Sequence, residues 1–337
     1  MEKIKVIFTG GTIGSLAKGN DISPDGETKY LLLEKYGKNQ QRFITSNPLF
    51  ILSENANIAN VQKMAEEIEA SQNEDIKGII MTHGTDSLAY TAAMLSFIVQ
   101  NPKVPIVLVS SNYILTDEKA NGVKNFETAV ELIDNPNTAP AIYVAYKNPE
   151  EQQTNIHLGT RMCEPASYSD SFYSPIGQRY AIYQDGKIIY ENTKIQKTDK
   201  KFEINANLSK NGLFINPHIG LDYNIYKNIN CNFILHNLYH SGTANTKDFE
   251  NNNFDTNFLN FADYCKNKNI PLYLCNCKKK DVNYNSTNLM MEKNVKFLYD
   301  TTTNVALAKL YVAYNFINEN QIQEFLNTCI AGEFMTN

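Results

Sequence analysis

The chain of 337 residues has no tryptophan, only six cysteines, and nowhere a long apolar run. Without about 18 consecutive apolar residues, no transmembrane helix is expected. The cysteines are too sparse for a disulfide scaffold. Cys275 and Cys277 are the one close pair, and no second pair or histidine stands at zinc spacing, so reduced thiols are expected rather than a metal site. Basic residues are outnumbered: 31 Lys and Arg against 36 Asp and Glu leave a net charge of −5. That weighs against nucleic acid as a partner, since phosphate binding wants a basic face. Met1 to Lys5 leads straight into a strand-like run, and no signal peptide is expected. Among what is present, 42% apolar and 20% charged residues describe an ordinary soluble globular protein. The length suits about two domains.

Strand-like and helix-like segments alternate along the first half. Lys5-Val6-Ile7-Phe8 ends at Gly10-Gly11, and Lys77–Thr82 ends at His83-Gly84. Leu88, Ala92, Leu95, Ile98 and Val99 recur at helical spacing, and Asn101-Pro102 stops that helix. A strand over Pro105–Val109, a helix over Val123–Ile133 and a strand over Ala141–Tyr146 follow. This alternation predicts an α/β fold, with βαβ units and a mostly parallel, covered sheet. Asn192–Lys201 is polar and lysine-rich and suits a solvated linker. After it, strands at Phe233–Leu235 and Pro271–Cys275 and helices around Phe258–Cys265 and Val305–Val312 predict a smaller second α/β domain. The expected division is a catalytic domain over 1–190, a linker over 191–211 and a C-terminal domain over 212–337.

Two segments place hydroxyls and a carboxylate at strand ends, where parallel sheets bind ligands. One is Thr9-Gly10-Gly11-Thr12-Ile13-Gly14-Ser15, whose glycines allow a sharp turn and close backbone approach. The other is Thr82-His83-Gly84-Thr85-Asp86-Ser87. Asp86 or Ser87 is placed to cap the following helix, whose first amides suit an anion or oxyanion. His83 suits a structural donor better than a base. The phosphate-loop, dinucleotide, Gly-x-Ser-x-Gly and His-Glu-x-x-His patterns are all missing.

Together, Thr-Gly-Gly-Thr-Ile-Gly and His-Gly-Thr-Asp-Ser resemble the bacterial-type asparaginase/glutaminase family, and most of all its cytoplasmic type I branch. Asn47–Asn55 resembles the family segment that binds the substrate α-carboxylate and α-amino groups, and Tyr239–Asn245 resembles its C-terminal loop. The resemblance implies side-chain amide hydrolysis of L-asparagine or a related small amide through a threonine acyl-enzyme, with release of ammonia. Thr12 is then the nucleophile, Thr85 the second catalytic hydroxyl, and Asp86 the holder of the substrate ammonium. Gly11, Ser53, Glu54 and Gly84 line the substrate, and Asn245 supports the site from a neighbouring protomer. The resemblance further implies a cytoplasmic homodimer or homotetramer with a small amino-acid amide as its ligand, no cofactor, no metal, and no nucleic-acid or membrane partner.

Two positions depart from the family. Aligned through Ser169–Pro175, the family's relay lysine falls on Glu164. Two close carboxylates cannot both ionise cheaply, so Asp86 and Glu164 are expected to raise one pKa between them. Glu164 then stands as a fourth candidate catalytic residue. It also leaves open another amide, ester or amine-bearing substrate, or a catalytically weak amino-acid-binding protein. The second departure lies in Leu16–Asp25, expected as a flexible lid, where Asp21 takes the place of a family tyrosine, with Tyr30 and Tyr36 following.

Overall fold

β-Branched runs punctuated by glycine set up the first of two units. In this computed structural model the described residues are all except 1, 19–20, 25–27, 250–252, 280–281 and 336–337; the side chains of 16–29 also lie outside the description. The chain divides into one unit of residues 1–201 and 329–332, and another of 202–328 and 333–337.

The first unit runs β1 (Lys3–Ile7), β2 (Ser15–Lys18), β3 (Asp21–Pro24), α1 (Thr28–Tyr36), β4 (Phe43–Ser46), α2 (Ile58–Ser71), β5 (Ile76–Thr82), α3 (Leu88–Val99), β6 (Ile106–Val109), α4 (Gly122–Asp134), β7 (Ile142–Tyr146), β8 (Thr154–Leu158), β9 (Ala181–Gln184) and β10 (Lys187–Tyr190). Eight strands form one sheet in the order β10-β9-β8-β7-β6-β5-β1-β4. β4, β1, β5, β6 and β7 pair in parallel, while β7 to β10 pair antiparallel. β6 and β7 are buried at every position, as expected for strands covered on both faces. α2 begins at a reciprocal cap, with Asn57 and Asn60 bonded to each other's backbone amides, and buries Val61, Met64, Ala65 and Ile68. Asn125 on α4 donates to Ser110 O and accepts from Lys147 N, each at 2.8 Å, and so ties the ends of β6 and β7.

Residues 329–332 return to this unit late in the chain. Thr160 Oγ1 donates to Ala331 O at 2.7 Å and Arg161 Nε to Gly332 O at 2.6 Å.

The second unit contains β11 (Gly212–Ile215), β12 (Phe233–Asn237), α5 (Phe258–Asn267), β13 (Leu272–Cys277), α6 (Asn285–Met291), β14 (Lys296–Tyr299), α7 (Thr303–Phe316) and α8 (Ile322–Asn327). Its four strands pair in parallel in chain order. Phe258, Phe261 and Ala262 of α5 pack on Ile234, Leu272 and Leu274. The expected linker is shared out: Thr198 N donates to Cys329 O at 2.9 Å in the first unit, while Phe202, 3% exposed, meets Phe325 edge-on in the second. Among the described residues, no helix is long and apolar enough to cross a membrane.

The segment expected as a lid is a hairpin over its described part, β2 pairing antiparallel with β3 from Ser15 against Pro24 to Lys18 against Asp21. Its connection at 19–20, residue 25 and the Asp21 side chain lie outside the described residues. Tyr36 sits edge-on to Phe126 at 5.1 Å and Phe43 at 5.8 Å.

Candidate active site

Three loops leave the carboxyl ends of β4, β1 and β5, which are neighbours in the sheet. Their strand ends are stitched first. Thr9 Oγ1 donates to Thr82 O at 2.5 Å, and Thr9 N donates to Thr82 Oγ1 at 3.2 Å. Gly11 N donates to Ile51 O at 2.9 Å, and Ile51 N donates to Thr9 O at 3.0 Å.

Glycine then lets the loops touch. Gly11 has φ 79°, a conformation that disfavours side chains, and a Cβ there would lie 2.3 Å from Gly84 N. A Cβ on Gly84 would lie 2.3 Å from Ser53 Oγ. Gly11, Gly84 and Ser53 therefore stack backbone to backbone to side chain, one from each loop.

Thr12, Thr85, Asp86 and Glu54, among the expected site residues, adjoin this stack along the chain. Thr12 opens the short 3₁₀ turn Thr12–Gly14 directly after Gly11, and Thr85 directly follows Gly84; both are half-buried. Ser53 is buried in the 3₁₀ turn Ser53–Asn55, with Glu54 exposed beside it. Asp86 N donates to Ser53 Oγ at 3.1 Å, and the Ser53 hydroxyl donates to Asp86 Oδ2 at 3.3 Å. The Asp86 carboxylate is thus oriented yet remains exposed, a suitable seat for an ammonium group.

The helix-cap expectation is corrected. Ser87 occupies the N-cap position of α3, but its hydroxyl makes no cap bond. It donates instead to Ser53 O at 2.8 Å. Serving the neighbouring loop displaces the capping bond such residues usually make. His83 is buried, with Nδ1 at 2.8 Å from Gly84 O. Burial lowers its pKa below the ordinary value, so it is a neutral structural group.

Glu164 lies beyond the 3₁₀ turn Gly159–Arg161, which packs on α3: a Cβ on Gly159 would stand 3.0 Å from Ala92 O. Glu164 and Tyr90, in the first turn of α3, shift each other's titration. Burial raises the Glu164 pKa, and the hydrogen bond with Tyr90 pulls it partly back. Burial, then the Glu164 charge, pushes the Tyr90 hydroxyl up to about 12. The cause differs from the one expected: Asp86 is not among the groups that shift Glu164.

Asn245 belongs to the second unit, where it is exposed. Its amide donates to Lys247 O at 3.0 Å and Thr256 O at 2.8 Å, and its carbonyl accepts from Lys247 N at 3.1 Å. All of these bonds brace its own loop.

Sequence reasoning passes over Tyr90 and gives Ser87 the wrong partner.

Residues 3–196 match the family described as Asparaginase, N-terminal. The chain belongs to the asparaginase family. The matched segment contains β1 through β10, the three stacked loops and Glu164. Asparaginase-family membership makes the chain a hydrolase of amide C–N bonds. Over 99% of its length it is 25% identical to a glutamyl-tRNA(Gln) amidotransferase component of Methanosphaera stadtmanae, of which it spans 77%. It is 34% identical to an L-asparaginase of Thermococcus kodakarensis over 113 residues, 34% of this chain and 32% of that one. The solved thermostable L-asparaginase from Thermococcus kodakarensis superposes with a TM-score of 0.79 at 21% identity, covering 99% of this chain and 100% of that one. At that identity the superposition speaks for the fold of this asparaginase-family chain.

Proposed function

We propose that the protein hydrolyses the side-chain amide of L-asparagine or a related small amide through an acyl-enzyme on Thr12. The observation that carries this reading is the Gly11–Gly84–Ser53 stack, which sets two glycine-flanked threonines and an oriented carboxylate on adjoining loops. Asp86, held by Ser53, takes the substrate ammonium, with Glu54 beside it. Ser53 and its backbone take the α-carboxylate. The Thr12 hydroxyl adds to the amide carbonyl, and the C–N bond breaks as the nitrogen gains a proton and leaves as ammonia. Water then adds to the ester, and the acid departs as Thr12 regains its proton. A threonine hydroxyl is a weak nucleophile and needs a neighbouring base for each addition; in this scheme Thr85 passes that proton. In this scheme backbone amides near Thr85 serve the oxyanion. No cofactor enters this scheme. We take the protein to be a cytoplasmic homodimer or homotetramer in which the Asn245 loop serves a second copy.

A second reading is favoured by the likeness, along nearly the whole chain, to the glutamyl-tRNA(Gln) amidotransferase component: the substrate amide is that of glutamine. Ammonia release by the purified protein from L-asparagine, L-glutamine and a panel of small amides separates the two. Thr12→Ala is expected to abolish release from every substrate. Full activity in that variant removes the nucleophile assignment, and amino-acid binding without any release by the wild type removes the hydrolase reading.

A further inference from the structure

Ser87 stands at the start of α3, where a serine hydroxyl ordinarily accepts a bond from an amide of the first turn. Here it does not. The residue has φ −114° and ψ 17°, away from the extended conformation typical of caps, and its hydroxyl makes no bond to the helix. It donates instead to Ser53 O at 2.8 Å, 34 residues back in the chain. Departures from local preference are expected where function demands them.

Among the described residues, three hydrogen bonds join Ser53 to the start of α3, and they are unequal. Asp86 N donates to Ser53 Oγ at 3.1 Å, and the Ser53 hydroxyl donates to Asp86 Oδ2 at 3.3 Å. The second is long, since a hydroxyl on a carboxylate usually sits at about 2.5–2.7 Å. The Ser87 bond is the short one. It falls on the backbone of Ser53, and the backbone sets where the Ser53 hydroxyl stands. Ser53 O also accepts from Ala56 N at 3.1 Å, which closes the turn Ser53–Asn55 on itself. That local bond cannot hold the turn against α3; the Ser87 bond can. The peptide that carries Ser53 O carries the Glu54 N–H as well, so the same bond fixes the direction of that donor.

The turn that carries Thr12 has ties of its own. Gly14 N donates to Gly11 O at 2.9 Å, and Ser15 Oγ donates to the same carbonyl at 2.8 Å. Neither bond involves Ser87.

We propose that Ser87 is the positioning residue of the α-group seat: through Ser53 it sets the hydroxyl and the carboxylate that select an amino-acid amide over a simple amide. The proposal rests on the reading of Ser53 and Asp86 as that seat. Ser87 acts by holding Ser53 in register with Asp86. Without its hydroxyl the long Ser53–Asp86 bond is the first to break, and the Asp86 carboxylate loses its orientation. The Thr12 turn keeps its own bonds. The loss therefore falls on binding of the substrate ammonium and α-carboxylate, and the chemical step is spared.

The test is steady-state ammonia release from L-asparagine, L-glutamine and propanamide, which lacks both α-groups. Calorimetric binding of L-aspartate and L-glutamate accompanies it, for the wild type, Ser87→Ala, Ser87→Thr and Thr12→Ala. Ser87→Ala is expected to raise KM for the amino-acid amide, and Kd for the amino acid, at least about 10-fold, the scale of one hydrogen bond to a charged group. Its kcat for the amino-acid amide and its kcat/KM for propanamide should be unchanged, since only binding shared by ground and transition states has been removed. Ser87→Thr keeps a donor hydroxyl and should recover the wild-type values. A general loosening of the fold would lower the rates on all amides together. That outcome, or unchanged KM and Kd in Ser87→Ala, overturns the proposal, and the hydrolase reading stands if Thr12→Ala is dead. If Thr12→Ala is fully active, the nucleophile assignment falls, and the binding constants still decide the role of Ser87. If the wild type neither binds an amino acid nor releases ammonia, both fall. Should Ser87→Ala fail to fold, Ser87→Gly takes its place, since a helix start tolerates glycine nearly as well as serine.

Discussion

Gly84→Ala would put a methyl group where Ser53 Oγ already stands. Ser53 cannot swing aside freely, because that hydroxyl serves both the amide and the carboxylate of Asp86. Overpacking of this kind costs about 1–3 kcal/mol. The orientation of Asp86 should go with it, so we expect a lower thermal midpoint together with a raised KM. Gly11→Ala should be worse. Its nearest obstacle is the Gly84 backbone, which cannot give as a side chain can, and its φ of 79° adds strain of about 1–3 kcal/mol. Equal thermal midpoints for the two variants would show that the loops are not held by this stack. At this scale the site is partly legible in sequence. Glycines flanking threonine at two strand ends mark the loops, but one-dimensional sequence does not show that a carboxyl at 164 ends beside a hydroxyl at 90.

At the scale of elements, β12 illustrates a buried group that responds to acid. His236 lies between Tyr223 and Phe258, and its Nε2 is 2.9 Å from the Tyr223 hydroxyl. Burial lowers its pKa from 6.5 to about 4. Below pH 6.5 the unfolded chain takes up a proton that the folded chain refuses until near pH 4, so stability falls as pH drops through that window. At about 1.4 kcal/mol per pH unit the loss reaches roughly 3 kcal/mol. Urea midpoints measured between pH 7 and 4 should therefore fall less steeply in His236→Gln than in the wild type. The slope should not vanish, because burial also holds His157 at about 3. The same scale shows what the sequence announces. β1, β5, α3, β6, α4 and β7 are legible because continuous apolar runs or helical spacing end at Gly, Asn or Pro. β8 to β10 are not. Thr154 and Asn155 are polar yet buried, and Lys187–Tyr190 alternates weakly on an edge, so their pairing depends on neighbours far away in sequence. The pairing of β2 with β3 is not legible either, because glycine, asparagine and proline in the sequence of that segment look like loop residues.

At the scale of the whole molecule, the segment around Glu333 is held from within. Lys309 on α7 is 2% exposed and donates to Leu326 O at 3.0 Å, Thr328 O at 2.7 Å and Glu333 Oε1 at 2.6 Å; Glu333 is fully buried. Removing one partner of such a pair leaves a buried charge, at about 3–5 kcal/mol. Glu333→Ala should lower the urea midpoint accordingly. The double variant Lys309→Met/Glu333→Leu should recover part of the loss, since both charges are then gone; no recovery would mean the carbonyl bonds matter more than the charge pair. Just upstream, residues 329–332 belong to the first unit although everything from 202 to 328 belongs to the second. No single cut in the gene can therefore yield both halves intact. A fragment stopping at residue 201 lacks the carbonyls that Thr160 and Arg161 use. Domain-by-domain expression would need a supplied tail peptide or a permuted chain order.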